Sequence, residues 1–295
     1  MSPSNPRTPE LPAGPQAALL ADGKRLHLHH GPIDLVIGAN GTPDEVRRAY
    51  DQARARFDDI LAVLVEELAQ LRSPVRMPRW RPAGPVARRM MEAAWPHREV
   101  FVTPMAAVAG AVADEVLSAL IAGRELRTAY INNSGDIAFH LAAGETLSLG
   151  IVGEMHRPAI DGLARLSHEL PVRGIATSGW AGRSQSLGIA DAVTVLARTA
   201  AAADVAATLI ANAVDADHPA IVRRPARDLD DDSDLGDRLV TVDVGDIDGA
   251  ATETALDAGA RVAEKMRCGG LIEASALMLK GETRVIGQAS CAVAA

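Results

Sequence analysis

The 295 residues are 48% apolar, 23% charged and only 3% aromatic, with a formal net charge of −8. That balance excludes collagen-like, wholly disordered and disulfide-scaffold chains. It also argues against a nucleic-acid partner, which needs a broad basic surface or exposed stacking aromatics, so any phosphate contact is expected to be local.

Two cysteines, Cys268 and Cys291, lack zinc-ligand spacing and point to a reducing cytoplasm. Pro3, Pro6, Pro12 and Pro15 interrupt the stretch where a secretory signal would be continuously apolar. Residues 1–30 are therefore expected to be a mobile lead-in to a single domain over 31–295. His27, His29 and His30 read as a surface cluster. The next segment, Ile33–Gly38, reads as a strand, and Asn40-Gly41 turns it into a helix. Thr42-Pro43-Asp44-Glu45 supplies an N-cap, a first-turn proline and a capping-box glutamate. Apolar positions from Val46 to Leu71 then recur at three- and four-residue steps, predicting one long amphipathic helix ending near Ser73-Pro74.

Pro74, Pro78, Pro82 and Pro85, with Arg76, Arg79 and Arg81 between them, predict an extended loop over 74–85. A short helix over Val86–Ala94, a strand at Val100–Thr103 and a small-residue helix from Met105 to Ala122 are expected next. Further strands are predicted at Thr128–Ile131, Thr146–Val152, Gly174–Thr177, Ala192–Leu196 and Leu239–Asp243, with helices at Ala200–Val214 and Thr252–Glu264. The order lacks a regular βαβ period, which favours an α+β layered fold with a mixed or antiparallel sheet. Asp114 and Glu115, and Arg198 and Asp204, interrupt the two longest apolar runs, so no membrane span is expected. The acidic run Arg227–Asp237 fails the calcium-loop pattern at its sixth and twelfth positions, Leu235 and Thr241, and reads as a solvated, partly disordered loop.

Three segments place single polar groups among small residues. In Thr103–Val116, alanines and glycine allow close backbone approach and a helix start offers amides to an anion, although tight helix–sheet packing alone also explains the small residues. In Ala129–His140, an apolar strand runs into Asn132-Asn133-Ser134-Gly135-Asp136, which an ordinary turn also explains. In the third, Asp204 and Thr208 lie four residues apart, so on a helix they share a face and offer a carboxylate and a hydroxyl to a hard cation such as Mg²⁺. On spacing alone, an alanine-rich core helix whose Thr208 bonds to its own backbone and whose Asp204 caps or faces water accounts for the pair.

Taken in order, AGAVAD ending at Asp114, Asn132-Asn133-Ser134-Gly135-Asp136, Ala176-Thr177-Ser178-Gly179 and Asp204-Val205-Ala206-Ala207-Thr208 resemble the ApbE family, the FAD:protein FMN transferases, and specifically its cytosolic relatives. The resemblance covers about Val100–Val214. It implies an ApbE-like fold and Mg²⁺ held by Asp204, Thr208 and a backbone carbonyl near Ala107. It also implies that FAD or FMN lies against Asn133, Ser134, Gly135, Asp136, Thr177, Ser178 and Gly179. Arg183 is a candidate phosphate donor, with Ser184 and Ser186. The chemistry implied is phosphoryl transfer to a hydroxyl of an acceptor protein, or to water, giving FMN and AMP.

The sequence departs from that pattern in lacking a His-rich segment: Gly179 reaches Asp191 through WAGRSQSLGIA alone. The lysine expected beside the first glycine is Ala109, and the first glycine of Gly-Gly-Asp is Ser134. Two alternatives stay open: a non-transferase relative binding another fused-ring ligand, such as a pterin in one-carbon metabolism, and an assembly protein packing as a homo-oligomer.

Overall fold

The computed structural model describes residues 14–151, 162–182, 184–287 and 291–293. Three strands open the fold: β1 (Gln16–Leu19), β2 (Leu26–His30) and β3 (Ile33–Gly41). Two of them fall within the stretch expected as a lead-in. Their alternation explains the placement, because Leu26, Leu28, Ile33, Leu35 and Ile37 are all buried on one face while His27, His29 and Asp34 take the other.

The capping chemistry at Thr42 forms as expected, its hydroxyl accepting the Glu45 amide at 3.4 Å. The single long helix does not. It is divided into α1 (Pro43–Phe57), α2 (Ile60–Glu66) and α3 (Leu68–Leu71). Glu67, at the second break, turns its carboxylate to the Ala83 and Gly84 amides, each at 2.8 Å, and so ties the helix to the proline-rich loop. The apolar periodicity survives because all three pieces pack on the same core. Helix α4 (Pro85–Ala94) starts on its proline, as N1 prolines do. Val100–Thr103 is not a strand: Val102 and Thr103 are buried in a loop, where Val75 donates to the Val102 carbonyl and Val100 to the His97 carbonyl, with no ladder to a neighbouring strand among the described residues.

A 3-10 turn over Pro104–Ala107 leads into α5 (Val108–Ile121). The stretch Pro104–Ile121 is long and apolar enough to cross a membrane by length and composition. Here it is a core helix against the sheet. There follow β4 (Leu126–Asn133), β5 (Asp136–Leu141), β6 (Thr146–Ile151), β7 (Gly162–Ser167), β8 (Gly174–Ser178), β9 (Ala192–Ala197), α6 (Ala200–Ala213), β10 (Ile221–Pro225), β11 (Leu239–Val244), α7 (Gly249–Cys268), β12 (Ala274–Leu279), β13 (Glu282–Ile286) and β14 (Cys291–Val293).

The architecture is α+β. Nine strands in the order β1-β2-β3-β4-β5-β8-β9-β12-β13 form one sheet, and every pairing in it is antiparallel. Helices α1, α4 and α5 bury one half of a face and α6 with α7 the other. On the opposite face Phe139, Leu141, Ile175 and Leu196 pack towards the small sheet β14-β7-β6. Period-two alternation therefore fixes which residues look at the helices: Ala138 on β5 and Ala176 on β8 do, while Phe139 and Ile175 do not.

The acidic run is an exposed loop, but it is docked rather than disordered. It closes the β10–β11 hairpin, and Asp234 accepts from the Thr103 hydroxyl while Ser233 donates to Gln185 at 2.6 Å.

Candidate functional site

The site is built where α5 and α6 meet. Two close approaches allow it. A Cβ on Gly110 would lie 2.3 Å from the Ala200 carbonyl oxygen, and one on Gly174 would lie 2.1 Å from the Ala200 amide. Bare backbone on α5 and β8 thus lets the first turn of α6 wedge between them.

The two helices exchange carboxylates. Asp114 of α5 accepts the Ala200 and Ala201 amides at 3.0 and 2.9 Å, and Asp204 of α6 accepts the Gly110 amide at 3.0 Å. Each acid thereby satisfies orphan donors at the start of the other helix, where the dipole favours negative charge. Burial nevertheless pushes the Asp114 carboxyl up to about 6, against the pull of those two amides. Burial also pushes Asp204 up to about 7, opposed by the Gly110 and Ala109 amides and reinforced by Asp114.

Asp136, at the start of β5, joins them. Its carboxyl is raised well above the usual range by burial and then by the neighbouring Asp204, and lowered only by the Thr177 amide. Asn133, one hairpin turn away, donates its amide to the Ala109 carbonyl at 3.0 Å. The four-residue turn carries Ser134 at φ 56° and Gly135 at φ 115°, the positive values of a tight hairpin, and Gly135 donates to the Asn132 side chain at 2.8 Å.

Thr208 follows Asp204 by one turn of α6 and is half-buried. Its hydroxyl has no hydrogen-bond partner among the described residues, whereas Ser118, Thr252 and Thr254 all bond to the carbonyl four residues back. The self-bonded threonine that a core helix would contain is therefore not what this position holds.

The structure brings together Asn133, Asp136, Asp204 and the start of α5, with Thr208 on the same helix face as Asp204. Ala107 is buried at the cap of α5 and packs in one cluster with Ala201 and Val205 of α6. Ser178 shares the helix-side alternation of Ala176. Thr177 is not brought in by its side chain: its hydroxyl pairs with Thr194 at 2.9 Å across β8 and β9, and only its backbone amide reaches Asp136. Gly179 is buried where a Cβ would come 2.3 Å from the Asp191 carbonyl oxygen, a reason for glycine that involves no ligand. Arg183 lies outside the described residues. The reciprocal role of Asp114 was missed in the sequence because it depends on the antiparallel register of α5 and α6. The signal was the pair of carboxylates set near the starts of two alanine-rich helices.

These features define an α+β protein with a cluster of raised-pKa carboxylates at a helix pair. The chain belongs to the family described as AbpE bacteria, whose model matches residues 17–285. That agrees with the resemblance to the ApbE superfamily. Among curated proteins it is similar to a UPF0280 protein of Methanothermobacter thermautotrophicus, 39% identical over 138 residues, covering 44% of this chain and 48% of the relative. A UPF0280 protein of Methanopyrus kandleri is 38% identical over 152 residues, covering 51% and 58%. The chain spans about half the length of the curated relatives it matches. Among solved structures it is similar to the apo flavinyl transferase ApbE of Pseudomonas stutzeri, at 12% identity over 85% of this chain and 73% of that one, with a TM-score of 0.35. A variant of the flavin transferase ApbE from Vibrio cholerae gives 12% identity over 94% and 98%, with a TM-score of 0.38. Likenesses this distant place no residue.

Proposed function

We propose that the chain is a cytoplasmic Mg²⁺-dependent flavin-nucleotide-binding protein, acting as an FMN transferase or FAD pyrophosphatase. The observation that supports this best is the convergence of Asp136 and Asp204, in which the Asp204 charge raises the proton affinity of Asp136 and Asp114 raises that of Asp204, with a Thr208 hydroxyl one turn away that has no partner among the described residues. Two mutually repelling acids need either a proton or a cation between them, and an all-oxygen set fits a hard divalent ion. Asp204 and Thr208, with Asp136 and the carbonyl of Ala107, would hold the ion. Bound there, Mg²⁺ would neutralise charge on a pyrophosphate.

The chain's own contributions are positional. Asn133 fixes the β4–β5 turn to the start of α5, so Asp136 is held at the helix pair. The Gly110 amide, with the Ala109 amide beside it, holds the Asp204 carboxylate at the start of α5. Asp136 and Asp204 must shed their protons before a cation enters, so activity should rise as pH passes about 7, the value to which Asp204 is pushed. The acceptor oxygen, a protein hydroxyl or water, would bond to the FMN phosphorus as the pyrophosphate bond of FAD breaks, so that AMP leaves and the hydroxyl proton goes to solvent, giving an FMN-bearing protein or free FMN.

The short link between Gly179 and Asp191 favours a second reading, a non-transferase that holds a pterin or another fused-ring ligand. AMP release from FAD separates the two. Mg²⁺-dependent release, cut at least tenfold in Thr208→Val, supports the first; tight ring binding without release supports the second.

A further inference from the structure

We infer that the sheet carries a second cation site, on the face turned away from the helices and unlike the helix-pair carboxylates in chemistry: His27, His29 and Asp34, two imidazoles and one carboxylate for a zinc-class transition ion. His27 and His29 alternate along β2, so both leave the face that Leu26 and Leu28 bury under the helices. Only strand register reveals the third donor. Asp34 of β3 stands directly opposite His29, and side chains so paired hold their Cβ atoms about 4.5–5.5 Å apart. His30 takes the helix side, edge-on to Phe57 of α1, and lies outside the set.

The distances suit a chelate. His27 Nε2 and Asp34 Oδ1 lie 3.1 Å apart, on side chains that are 32% and 45% exposed. Two donors bound about 2.0–2.1 Å from a tetrahedral zinc lie about 3.3 Å from each other, so these atoms already stand near ligand spacing. The His29 ring is 6.3 Å from that of His27, centroid to centroid, and makes no hydrogen bond among the described residues. Turning it toward the pair therefore breaks none. Among the described residues no three such donors are yet closed around one point, and that turn is what closes these. On binding, the neutral His27 imidazole carries its proton on Nδ1 and presents the Nε2 lone pair to the ion.

Charge and donor type choose the ion. Arg25, two residues before His27, is paired with Asp22, and Gln16 of β1, which faces His29 from the other side, is uncharged. With both imidazoles neutral, the set carries the single negative charge of Asp34. Imidazole suits zinc, copper and nickel, whereas oxygen donors suit magnesium and manganese, so the two sites draw different ions. Three protein donors leave the remaining position to water. The ion would clip β2 to β3 where the sheet ends in the exposed strand β1.

The test is calorimetric titration of the full chain with Zn²⁺ in the absence of nucleotide, repeated with Co²⁺ followed by its visible absorption. We expect one saturable equivalent of Zn²⁺, weakened at least about tenfold by His27→Gln, by His29→Gln and by Asp34→Asn, since even an outer-shell partner of a metal ligand is worth that much. Asp204→Asn and Cys268→Ser should bind like wild type, and Co²⁺ should show ligand-field bands without a thiolate charge-transfer band. The three site variants should melt at the wild-type temperature without metal, so their loss of binding is not unfolding, and Zn²⁺ should raise the melting temperature of the wild type but not theirs. No saturable binding, binding equal to wild type in both histidine variants, or binding lost in Cys268→Ser overturns the inference. The site shares no residue with the helix pair, so it stands or falls apart from the proposed function.

Discussion

At the residue scale the distinctive feature is a carboxylate with two roles. Asp204 caps α5 through one oxygen, yet it pays for that position in burial and in the company of Asp114 and Asp136. Asp204→Asn keeps a cap acceptor and removes the charge. The variant should therefore match or exceed the wild-type melting temperature at pH 8 without Mg²⁺, while losing the upward shift that Mg²⁺ with nucleotide gives the wild type. Thermal melts with and without the ion check both halves. Thr208→Val removes a hydroxyl that bonds nothing among the described residues, so its stability should stay within about 0.5 kcal/mol of wild type. A large loss of stability there would mean the hydroxyl is structural.

At the scale of elements, the helix pair and its glycine contacts determine whether the site exists. Asp114→Ala strips the Ala200 and Ala201 amides of their acceptors inside the core and should cost about 2 kcal/mol in urea unfolding. Gly110→Ala places a methyl against the Ala200 carbonyl oxygen and should cost at least ~2 kcal/mol by separating α5 from α6. A fall of less than 0.5 kcal/mol in both would show that the pair tolerates looser packing than its geometry demands.

Much of this level was legible in the sequence. The cap at Thr42, the helices α4 to α7 and the central strands β4, β8 and β9 follow from turn chemistry and periodicity. What was not legible depended on tertiary partners. Glu67 breaks the first helix to reach Ala83 and Gly84, and the strand expected at Val100–Thr103 is apolar only because a loop is buried there. Thr177 was assigned to the pocket by motif, whereas period-two alternation sends its hydroxyl to Thr194 on the other face. The acidic loop looked free because Thr103 and Gln185, its anchors, lie 131 and 48 residues away in sequence from their partners.

At the scale of the whole molecule, the nine-stranded antiparallel sheet joins two helix-covered halves, and the site sits on the seam between them, where α5 of one cluster meets α6 of the other. The raised carboxyls give stability a defined pH dependence. Asp204 in the folded chain keeps, up to about pH 7, a proton that the unfolded chain releases near 4. Its contribution is therefore complete below pH 4 and declines as pH rises to 7; Asp114 adds a decline in the same direction that ends near 6. Without a cation the protein should be less stable at pH 7.5 than at pH 5.5, and Asp204→Asn should flatten that difference.

Manganese titration followed by electron paramagnetic resonance probes the carboxylate cluster most directly, since Mn²⁺ takes the same hard oxygen donors as Mg²⁺. With a nucleotide pyrophosphate present, the wild-type chain should remove one equivalent of free Mn²⁺ at pH 8 and far less at pH 5.5. Asp204→Asn and Thr208→Val should each weaken that binding at least tenfold. Uptake that is the same in both variants as in wild type would contradict a cation site on this helix pair.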